Sequence, residues 1–297
     1  MNGVLILNKP QGMTSFDCVA KARRIFNTRK VGHAGTLDPM ATGVLPILVG
    51  NAVKAEQFLH ESNKIYRARM LFGISTDTGD VTGSPTLSSE IIPDICAVKE
   101  AAASFLGGYM QVPPMYSALK INGKKLYELA RENIQVKREA RFVGIDKLEV
   151  FPCDEKNSFI IEVSCSKGTY IRTLIEDIAK KAGSVATMSG LERRYCGGFD
   201  IKASHTLTEV LESRDPESLL VPTEMLFDDL RKVKLAPFFY RLALNGQPVF
   251  LKKIGINDLS LDQRVTVYSD NDELLGLAQV INLDEGTAIK VIKQFLS

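Results

Sequence analysis

The chain has 297 residues, of which 45% are apolar and 24% are charged, and its formal net charge is +2. This composition is that of a globular protein with a buried core, so it excludes an intrinsically disordered chain. No stretch approaches the ~20 apolar residues that a membrane-spanning helix needs, and the N-terminus lacks the basic and long apolar regions of a signal peptide. We therefore expect a cytoplasmic protein with no membrane partner.

Cysteines and histidines are too few and too scattered to indicate a metal centre. The five cysteines contain no C-x-x-C pair, and the three histidines form no spaced cluster with them. Free thiols in a reducing compartment are the expected state of the cysteines. The sequence therefore predicts no metal site.

The first predicted elements are a strand and a helix. The stretch GVLILN is a short apolar strand that ends at the Pro/Gly turn KPQG, which begins at Lys9. The helix TSFDCVAKARRIF follows, and Thr14 or Ser15 is placed to cap its first turn.

The next segment, KVGHAGTLDPMATGVLPILVG at residues 30–50, contains an Asp-Pro pair whose role the residues alone leave open. Asp38 could cap a helix, bind a metal ion or act as a nucleophile, and base rates favour the helix cap. However, MATGVLP is a poor helix former, and Pro39 biases Asp38 towards an extended conformation. Glycines on both sides of His33 permit a close backbone approach. We expect a rigid loop that presents one carboxylate, then a buried strand in VLPILVG and a short helix in NAVKAEQFL.

The stretch KIYRARMLFG alternates apolar and polar residues, which predicts a strand with one buried face. The apolar face begins at Tyr66, and the polar face carries Arg67 and Arg69. By spacing alone, Tyr66 is an ordinary core tyrosine whose hydroxyl lies near the end of the strand.

Positive charge is concentrated in two runs. The first, between Asp17 and Asp38, has five cations and no acid. The second, from Met115 to Arg141, has seven cations against three glutamates and weak apolar periodicity, which is typical of a mobile basic flap. Each run alone is best interpreted as a solvated face, but two runs that flank a candidate carboxylate favour a phosphate backbone as partner.

The stretch FIIEVSCSKGTYIRTLIEDIAKKAG is the clearest strand-turn-helix of the chain. Apolar residues alternate on the strand and then recur at helical spacing until Gly183, which ends the helix. Arg172 falls in the first helical turn, where a cation opposes the helix dipole. We therefore expect a negative group close to Arg172.

From about residue 233 the pattern changes to short β segments with no long helical periodicity. RVTVYS and ELLGLAQVIN, joined through Asp270, Asn271 and Asp272, predict a hairpin. The tail is therefore interpreted as a compact β-rich domain, which is small but within the size range that folds alone.

Five stretches in about the first 200 residues share their order and spacing with one known family. They are NKPQGMTS (8–15), KVGHAGTLDPMATGVLP (30–46), KIYRARMLFG (64–73), PPMYSALKINGKKLYELAR (113–131) and KGTYIRTLIEDI (167–178). In these stretches the chain resembles the bacterial TruB family of tRNA pseudouridine synthases. The Gly-His-x-Gly-Thr-Leu-Asp-Pro string is the most specific part of the resemblance.

The resemblance implies an α+β fold with a mixed, mainly antiparallel sheet flanked by helices. It implies a pseudouridine synthase catalytic domain at 1–232, with a basic RNA-clamping insertion at about 112–142. The remaining residues, 233–297, are similar in placement and β character to the family's small PUA-type RNA-binding domain.

The implied reaction converts the uridine at position 55 of the tRNA T-loop to pseudouridine without a cofactor. The N1–C1′ bond breaks, the uracil rotates, and C5 bonds to C1′. Asp38 matches the family's catalytic aspartate, and Arg172 matches the arginine paired with it. Tyr66 matches the tyrosine that stacks on the target base and is a candidate for proton removal. The residues leave open whether Asp38 attacks C1′, attacks C6 or assists loss of uracil to a glycal.

The resemblance also implies residues that bind the RNA. His33 matches the histidine that fills the space left by the everted base, and Tyr170 and Leu191 match positions that pack around this base. Lys9 lies in the matching Lys-Pro turn. The chain departs from the family after Leu191, where LERRYCGGF places Glu192 and Arg194 at positions that are usually arginine and threonine.

The implied partner is the T-arm of tRNA, bound by a monomer that needs no other protein. Two alternatives remain: a guide-RNA-dependent pseudouridine synthase, which shares the core motifs, and an RNA chaperone in which chemistry is secondary. The complete set of Asp38, Tyr66 and Arg172 favours an enzyme over a pure binder.

Overall fold

A computed structural model describes residues 2–59, 63–117, 119–121, 123–132 and 134–296. Its α-helices are α1 (Ser15–Ile25), α2 (Glu56–Leu59), α3 (Ile95–Ala103), α4 (Leu126–Arg131), α5 (Ile171–Lys181), α6 (Leu207–Glu212) and α7 (Pro237–Leu244). Short 3-10 helices lie at Gly50–Ala55, Ile201–Ala203, Pro216–Leu219, Thr223–Phe227 and Leu251–Ile254. No helix in these described ranges is long and apolar enough to cross a membrane.

The strands up to the middle of the chain are β1 (Gly3–Lys9), β2 (Val31–His33), β3 (Thr42–Val49), β4 (Lys64–Phe72), β5 (Ile74–Thr76), β6 (Pro85–Ser88), β7 (Tyr109–Gln111), β8 (Lys120–Ile121), β9 (Lys124–Lys125), β10 (Arg141–Val143) and β11 (Ile145–Pro152). The later strands are β12 (Ser158–Cys165), β13 (Ala186–Cys196), β14 (Phe199–Asp200), β15 (His205–Thr206), β16 (Leu220–Val221), β17 (Arg231–Lys234), β18 (Val249–Phe250), β19 (Arg264–Tyr268), β20 (Leu274–Leu283) and β21 (Gly286–Gln294).

The large sheet has the strand order β11-β12-β4-β13-β3-β1-β15, with β2, β14 and β16 paired at its sides. Most neighbours are antiparallel, and β13 runs parallel to β3 and β15 runs parallel to β1. Helices α1, α3 and α5 share one apolar core with this sheet. The predicted α+β class, with a mixed and mainly antiparallel sheet flanked by helices, is confirmed.

The register of the central strands brings distant parts of the sequence together. Tyr66 on β4 lies opposite Val163 on β12 and opposite Arg193 on β13. On its other side, β13 pairs Arg193 with Gly43 at the start of β3. The residues just before β3, which include Asp38, therefore lie beside the middle of the sheet.

Local sequence rules explain the best-predicted elements. On β4, buried and more exposed residues alternate along the whole strand, as the pattern KIYRARMLF predicts. Helix α1 is capped by Thr14, whose hydroxyl accepts a hydrogen bond from the Asp17 backbone N–H while the Asp17 carboxylate accepts from the Thr14 backbone N–H. The predicted helix NAVKAEQFL is instead a 3-10 helix, Gly50–Ala55, followed by the single turn of α2.

The C-terminal residues form a second sheet of five strands in the order β17-β19-β20-β21-β18. The predicted hairpin is present as β19 and β20, and helix α7 was missed by the β-only interpretation of this region. The sheet begins at Arg231, and the domain division at residue 233 stays a prediction. Phe227 stacks on Phe295 with ring centroids 5.3 Å apart, so the connection before the second sheet packs against the residue that follows its last strand.

Candidate active site

A cleft of about 560 Å³ opens beside the central strands of the large sheet. Five of the seven site residues predicted from the sequence line it: Asp38, Tyr66, Tyr170, Arg172 and Leu191. The cleft also receives side chains that the sequence interpretation did not single out: Lys64, Gln111, Lys167 and Arg193. It is therefore assembled from the loop before β3, from β4 and β13, and from the start of α5.

Asp38 lies on a turn that hydrogen bonds from Ala41 and Ser15 hold in place. Its carbonyl accepts a hydrogen bond from the Ala41 backbone N–H at 3.0 Å, and no helix follows. The Ser15 hydroxyl donates to the Leu37 carbonyl and accepts from the Leu37 N–H, at 3.1 and 2.9 Å. The helix-cap alternative for Asp38 is therefore excluded. Among the described residues, no group of three or more His, Cys, Asp or Glu side chains is arranged to hold a metal ion.

Lys9 supports the same turn from inside the protein and does not line the cleft. Its buried ammonium donates to the backbone carbonyls of Met13 at 2.7 Å, Pro10 at 2.9 Å and Pro39 at 3.3 Å. Burial lowers the pKa of Lys9, and the nearby Asp38 carboxylate partly offsets this effect by raising it. The contact with Pro39 links the Lys-Pro turn to the residue that follows Asp38.

Arg172 is buried in the first turn of α5 and is surrounded by acceptors. Its Nη2 lies 3.2 Å from Asp38 Oδ2 and donates to the Tyr116 carbonyl at 2.8 Å. Its Nη1 lies 3.7 Å from Asp80 Oδ2 and donates to the Thr78 carbonyl at 2.7 Å. The negative group expected near Arg172 is thus present, and there are two of them.

Asp80 is the acidic residue that the sequence interpretation missed. It is buried, and its Oδ1 accepts from the Thr78 hydroxyl and from the Thr82 backbone N–H, both at 3.0 Å. The available signal was the run DTGDVTG between two strands, in which threonine and aspartate side chains bond neighbouring backbone groups. Asp80 holds the side of the Arg172 guanidinium that faces away from Asp38.

The environment of Asp38 keeps its carboxylate accessible but poorly solvated. Its side chain is 38% exposed, whereas that of Arg172 is 7% exposed. Burial in the cleft raises the pKa of Asp38, the Arg172 charge lowers it, the Asp80 charge raises it, and Lys9 lowers it, with a net upward shift. Partial loss of hydration makes a carboxylate a better nucleophile than one in bulk water, and the fixed cation beside it holds the carboxylate in place and opposes its protonation.

Tyr66 lies on the buried face of β4, and its ring lines the cleft. Arg193 lies opposite Tyr66 on the neighbouring strand β13, and both residues line the cleft. Burial raises the pKa of Tyr66 to about 12, while the positive charge of Arg193 acts in the opposite direction. The side chain is therefore neutral at physiological pH.

Tyr170 is held at the start of α5 by Gln111. The Tyr170 N–H donates to Gln111 Oε1 at 2.8 Å, and Gln111 Nε2 donates to the Tyr170 carbonyl at 3.1 Å. Burial raises the pKa of the Tyr170 hydroxyl. Tyr170 lines the cleft together with Asp38, and Leu191 lines it from β13.

His33 is half-buried on β2, opposite Ile47 of β3, and does not line the cleft. It begins the turn that leads to Asp38, because residues 34–41 connect β2 to β3. The structure therefore places His33 at the start of the turn and outside the set of residues that line the cleft.

The predicted basic insertion at about 112–142 is framed by a strand pair. At its base, β7 and β10 are antiparallel, with Met110 opposite Phe142. Its described part contains the hairpin β8–β9 and helix α4, neither of which the weak periodicity indicated; residues 118, 122 and 133 lie outside the described residues. The backbone of this insertion reaches the cleft, since the Tyr116 carbonyl accepts from Arg172.

Sequence comparisons relate this chain to enzymes that form pseudouridine. A sequence model described as "TruB family pseudouridylate synthase (N terminal domain)" matches residues 23–171. The chain is 40% identical to tRNA pseudouridine synthase B of Alkaliphilus oremlandii, over 99% of this chain and 98% of the relative. It is 44% identical to the protein of the same name from Oceanobacillus iheyensis, over 85% of this chain and 86% of the relative.

The fold of the chain is also similar to that of proteins in solved structures. The chain superimposes on a protein in the crystal structure of a Cbf5-Nop10-Gar1 complex with a TM-score of 0.76 and 26% sequence identity. This match covers 99% of the chain and 85% of that protein. A protein in the structure of an H/ACA RNP bound to a substrate RNA containing 2′-deoxyuridine matches with a TM-score of 0.74 and 25% identity, and it covers 99% of this chain and 85% of that protein.

Proposed function

The chain belongs to the TruB family of pseudouridylate synthases, and from this premise we propose that it converts the uridine at position 55 of the tRNA T-loop to pseudouridine. The observation that carries the proposal is the Asp38–Arg172 ion pair, 3.2 Å long, in a cleft that also contains two tyrosines. The sequence relatives named tRNA pseudouridine synthase B support tRNA as the substrate.

The reaction makes three demands on the protein. The N1–C1′ bond must break, the uracil must rotate while it stays bound, and the proton on C5 must leave after C5 has joined C1′. No electron or group enters from outside, so the side chains of the cleft supply all the chemistry in this proposal.

Asp38 meets the first demand as the nucleophile. The carboxylate is exposed towards the cleft, and the fixed charge of Arg172 holds it in one orientation while Asp80 holds Arg172. This arrangement suits attack on C1′, attack on C6 and stabilisation of a glycal route, because each of them needs a negative oxygen presented to the nucleotide. Arg172 acts as the partner that orients this oxygen and limits its protonation.

Tyr66, Tyr170 and Leu191 meet the second demand, since they enclose a flat base. The cleft volume of about 560 Å³ lies within the range of small-ligand pockets and suits one everted nucleotide. Tyr66 stacks on the uracil and is the candidate acceptor for the C5 proton. Lys9 binds no RNA in this proposal, because its ammonium is occupied by the backbone around Asp38.

The T-arm binds across the mouth of the cleft in this proposal. Lys64, Arg141 and Lys167 line the cleft and give it positive charge, and the basic insertion at about 112–142 lies beside it. His33 occupies the space that the everted base leaves in the RNA. Residues 233–297 act as a PUA-like RNA-binding domain, and the protein works in the cytoplasm as a monomer without a protein partner. Affinity for the T-arm falls steeply with salt, because phosphate contacts release counterions.

The test uses a T-arm stem-loop labelled with tritium at C5 of its uridines, with the purified protein and nothing else added. Each isomerisation releases one tritium to water, so release stops at one equivalent per RNA and the product carries pseudouridine at position 55. The matched control is the same hairpin with cytidine at position 55. Release from the control hairpin, or none from either RNA, would contradict the proposed target.

A second candidate function is guide-RNA-dependent pseudouridylation, which the superposition on a protein of the Cbf5-Nop10-Gar1 complex favours. The same experiment separates the two functions. Turnover of the bare hairpin supports a stand-alone enzyme, whereas turnover only after addition of a guide RNA and further proteins supports the second candidate. An RNA chaperone that lacks chemistry would accelerate tRNA refolding and release no tritium.

A further inference from the structure

Gln111 is a buried glutamine at the end of β7, and both the oxygen and the nitrogen of its amide bond other parts of the protein. Its Oε1 accepts a hydrogen bond from the Tyr170 backbone N–H at 2.8 Å. Its Nε2 donates to the Tyr170 carbonyl at 3.1 Å and to the Tyr109 hydroxyl at 2.7 Å. Since an N–H can bond only to the oxygen of an amide, these partners fix the orientation of the Gln111 side chain. Gln111 therefore holds both backbone groups of Tyr170.

The start of α5 has little support from its own sequence. Tyr170 is the N-cap residue, and its side chain makes no capping hydrogen bond, whereas Ser, Thr, Asp or Asn commonly supply one at this position. The first turn contains no acidic residue, and its cation, Arg172, opposes the helix dipole. Gln111, 59 residues earlier in the chain, supplies from β7 the hold that the local sequence lacks.

The strand that carries Gln111 is itself tied to α5 at a second place. The Tyr109 hydroxyl donates to Asp177 Oδ2 at 2.8 Å, in the second turn of the helix. The Tyr109 ring also packs edge-on against Phe105, with ring centroids 4.8 Å apart. Gln111 lines the cleft, whereas Tyr109 does not. The two contacts of β7 therefore differ: Tyr109 holds the body of α5, and Gln111 holds its start beside the cleft.

Gln111 directly precedes the basic insertion at about 112–142. Inside this insertion, the Tyr116 carbonyl accepts from Arg172 Nη2, the nitrogen that lies 3.2 Å from Asp38 Oδ2. The same stretch of chain therefore contacts the start of α5 twice, once through the Gln111 amide and once through the backbone beside the ion pair. A shift of the first turn of α5 would move Arg172 away from its acceptors, which lie on other elements.

We propose that Gln111 is a positioning residue that acts through Arg172: it fixes the first turn of α5 so that the guanidinium meets the Asp38 carboxylate in one geometry. This inference rests on the proposed function. Gln111 takes no part in bond making or proton transfer, because its amide is engaged by Tyr170 and Tyr109. Displacement of a catalytic group by about 1 Å is enough to slow a reaction by about 10²-fold, so a contact that holds such a group affects the rate directly.

The test measures the rate of tritium release from the T-arm hairpin in single turnovers with saturating protein, and the Kd for the hairpin separately. Gln111→Met keeps the length of the side chain and removes its three hydrogen bonds. We expect it to slow release by about 10- to 100-fold and to leave the Kd within about threefold of wild type, because phosphate contacts dominate RNA affinity. A glutamine that only stabilised the fold would leave the rate of the folded protein unchanged.

A double-mutant cycle shows whether the effect passes through Arg172. In the Arg172→Met background, Gln111→Met should slow release by less than about threefold, because the guanidinium that Gln111 positions is absent. Equal slowing in both backgrounds, or a rate within about twofold of wild type for Gln111→Met alone, would overturn the inference. Absence of tritium release by the wild-type protein would instead refute the proposed function.

The matched control is Tyr109→Phe, which removes one hydroxyl from the same network. It leaves both bonds between Gln111 and Tyr170 in place and breaks the bond to Asp177. We expect a lower free energy of unfolding, because Asp177 and Gln111 each lose a partner, and a rate of release within about threefold of wild type, because the start of α5 stays held. Slowing by Tyr109→Phe as large as that by Gln111→Met would show that the network acts only through stability and would contradict the inference.

A second readout reports on the start of α5 and needs no turnover. In protein labelled with ¹⁵N-tyrosine, the backbone amide signal that disappears in Tyr170→Phe belongs to Tyr170. We expect hydrogen exchange of this amide to be at least about tenfold faster in Gln111→Met than in wild type, and within about threefold of wild type in Tyr109→Phe. If Gln111→Met does not fold, Gln111→Asn carries the same tests, because its amide is one methylene too short to reach both groups of Tyr170. Unchanged exchange would contradict the inference.

Discussion

The two sheets of this protein differ in whether they bury charged side chains. The C-terminal sheet packs around an apolar cluster made of valine, leucine, isoleucine and alanine, and its ion pairs, such as Lys234–Asp272 at 2.6 Å, lie on the surface. The large sheet buries Lys9, Asp80, Arg172 and Arg193 beside an equally apolar core. Since buried charges are costly, the difference teaches that the large sheet is built to hold a reactive centre, while the small one is built to fold.

Among these tests of the buried charges, the largest loss of activity should follow removal of Arg172, the cation between the carboxylates of Asp38 and Asp80. Arg172→Met leaves Asp38 and Asp80 with no charge between them, and we expect single-turnover tritium release to fall by about 10³-fold. Arg172→Lys should recover little of the rate, because one ammonium cannot reach the four acceptors that Arg172 contacts. A rate within about threefold of wild type for Arg172→Met would contradict the assigned pairing.

The same variant should also move the pH dependence of the rate. Asp38 must be ionised to act, and its pKa is already above the usual value because burial outweighs the charge of Arg172. Activity is therefore lost as the pH falls through this raised pKa. Arg172 lowers the pKa of Asp38. Without Arg172 this pKa should rise further, so the acid limb of the rate profile should shift to higher pH.

A smaller effect concerns stability: removal of the buried Lys9 should lower the free energy of unfolding more than removal of the exposed Lys234. Lys9→Met leaves three backbone carbonyls near Asp38 without their donor, and we expect it to lower the free energy of unfolding by about 2–4 kcal/mol. Lys234→Met, which removes an exposed partner of Asp272, should cost less than about 1 kcal/mol. Urea denaturation of both variants measures the difference, and equal costs would show that the two sheets do not differ as described.

Much of the fold follows from patterns that a single sequence carries. The alternation along β4, the capped helix α1 and the strand-turn-helix of β12 and α5 are local features, and the structure confirms them. Helices α4 and α7 escaped prediction because they are short and because tertiary packing, more than periodicity, determines such segments. The segment after β3 became mainly 3-10 helix, although its composition allows an α-helix.

The candidate site was predictable only where a residue conflicted with its local surroundings. Asp38 precedes a segment that makes a poor helix, and Arg172 is a cation at a helix start, so both residues indicated a function. Arg193 has no such conflict, because its partners are distant in sequence: it bonds Gly35 and Val44, which are 158 and 149 residues away. The local contacts of Asp80 with Thr78 and Thr82 indicate only a turn, and its pairing with the distant Arg172 is not visible in the sequence. Contacts of this kind are set by strand register, which one sequence does not specify.

The central claim is that Asp38 is the nucleophile of a pseudouridine-forming cleft. The most direct test compares wild type with Asp38→Asn, which keeps the size of the side chain and removes its charge, on the tritiated T-arm hairpin. We predict no detectable tritium release by Asp38→Asn in single turnovers, together with a Kd for the hairpin within about threefold of wild type, because phosphate contacts dominate RNA affinity. Robust release by Asp38→Asn would contradict the claim.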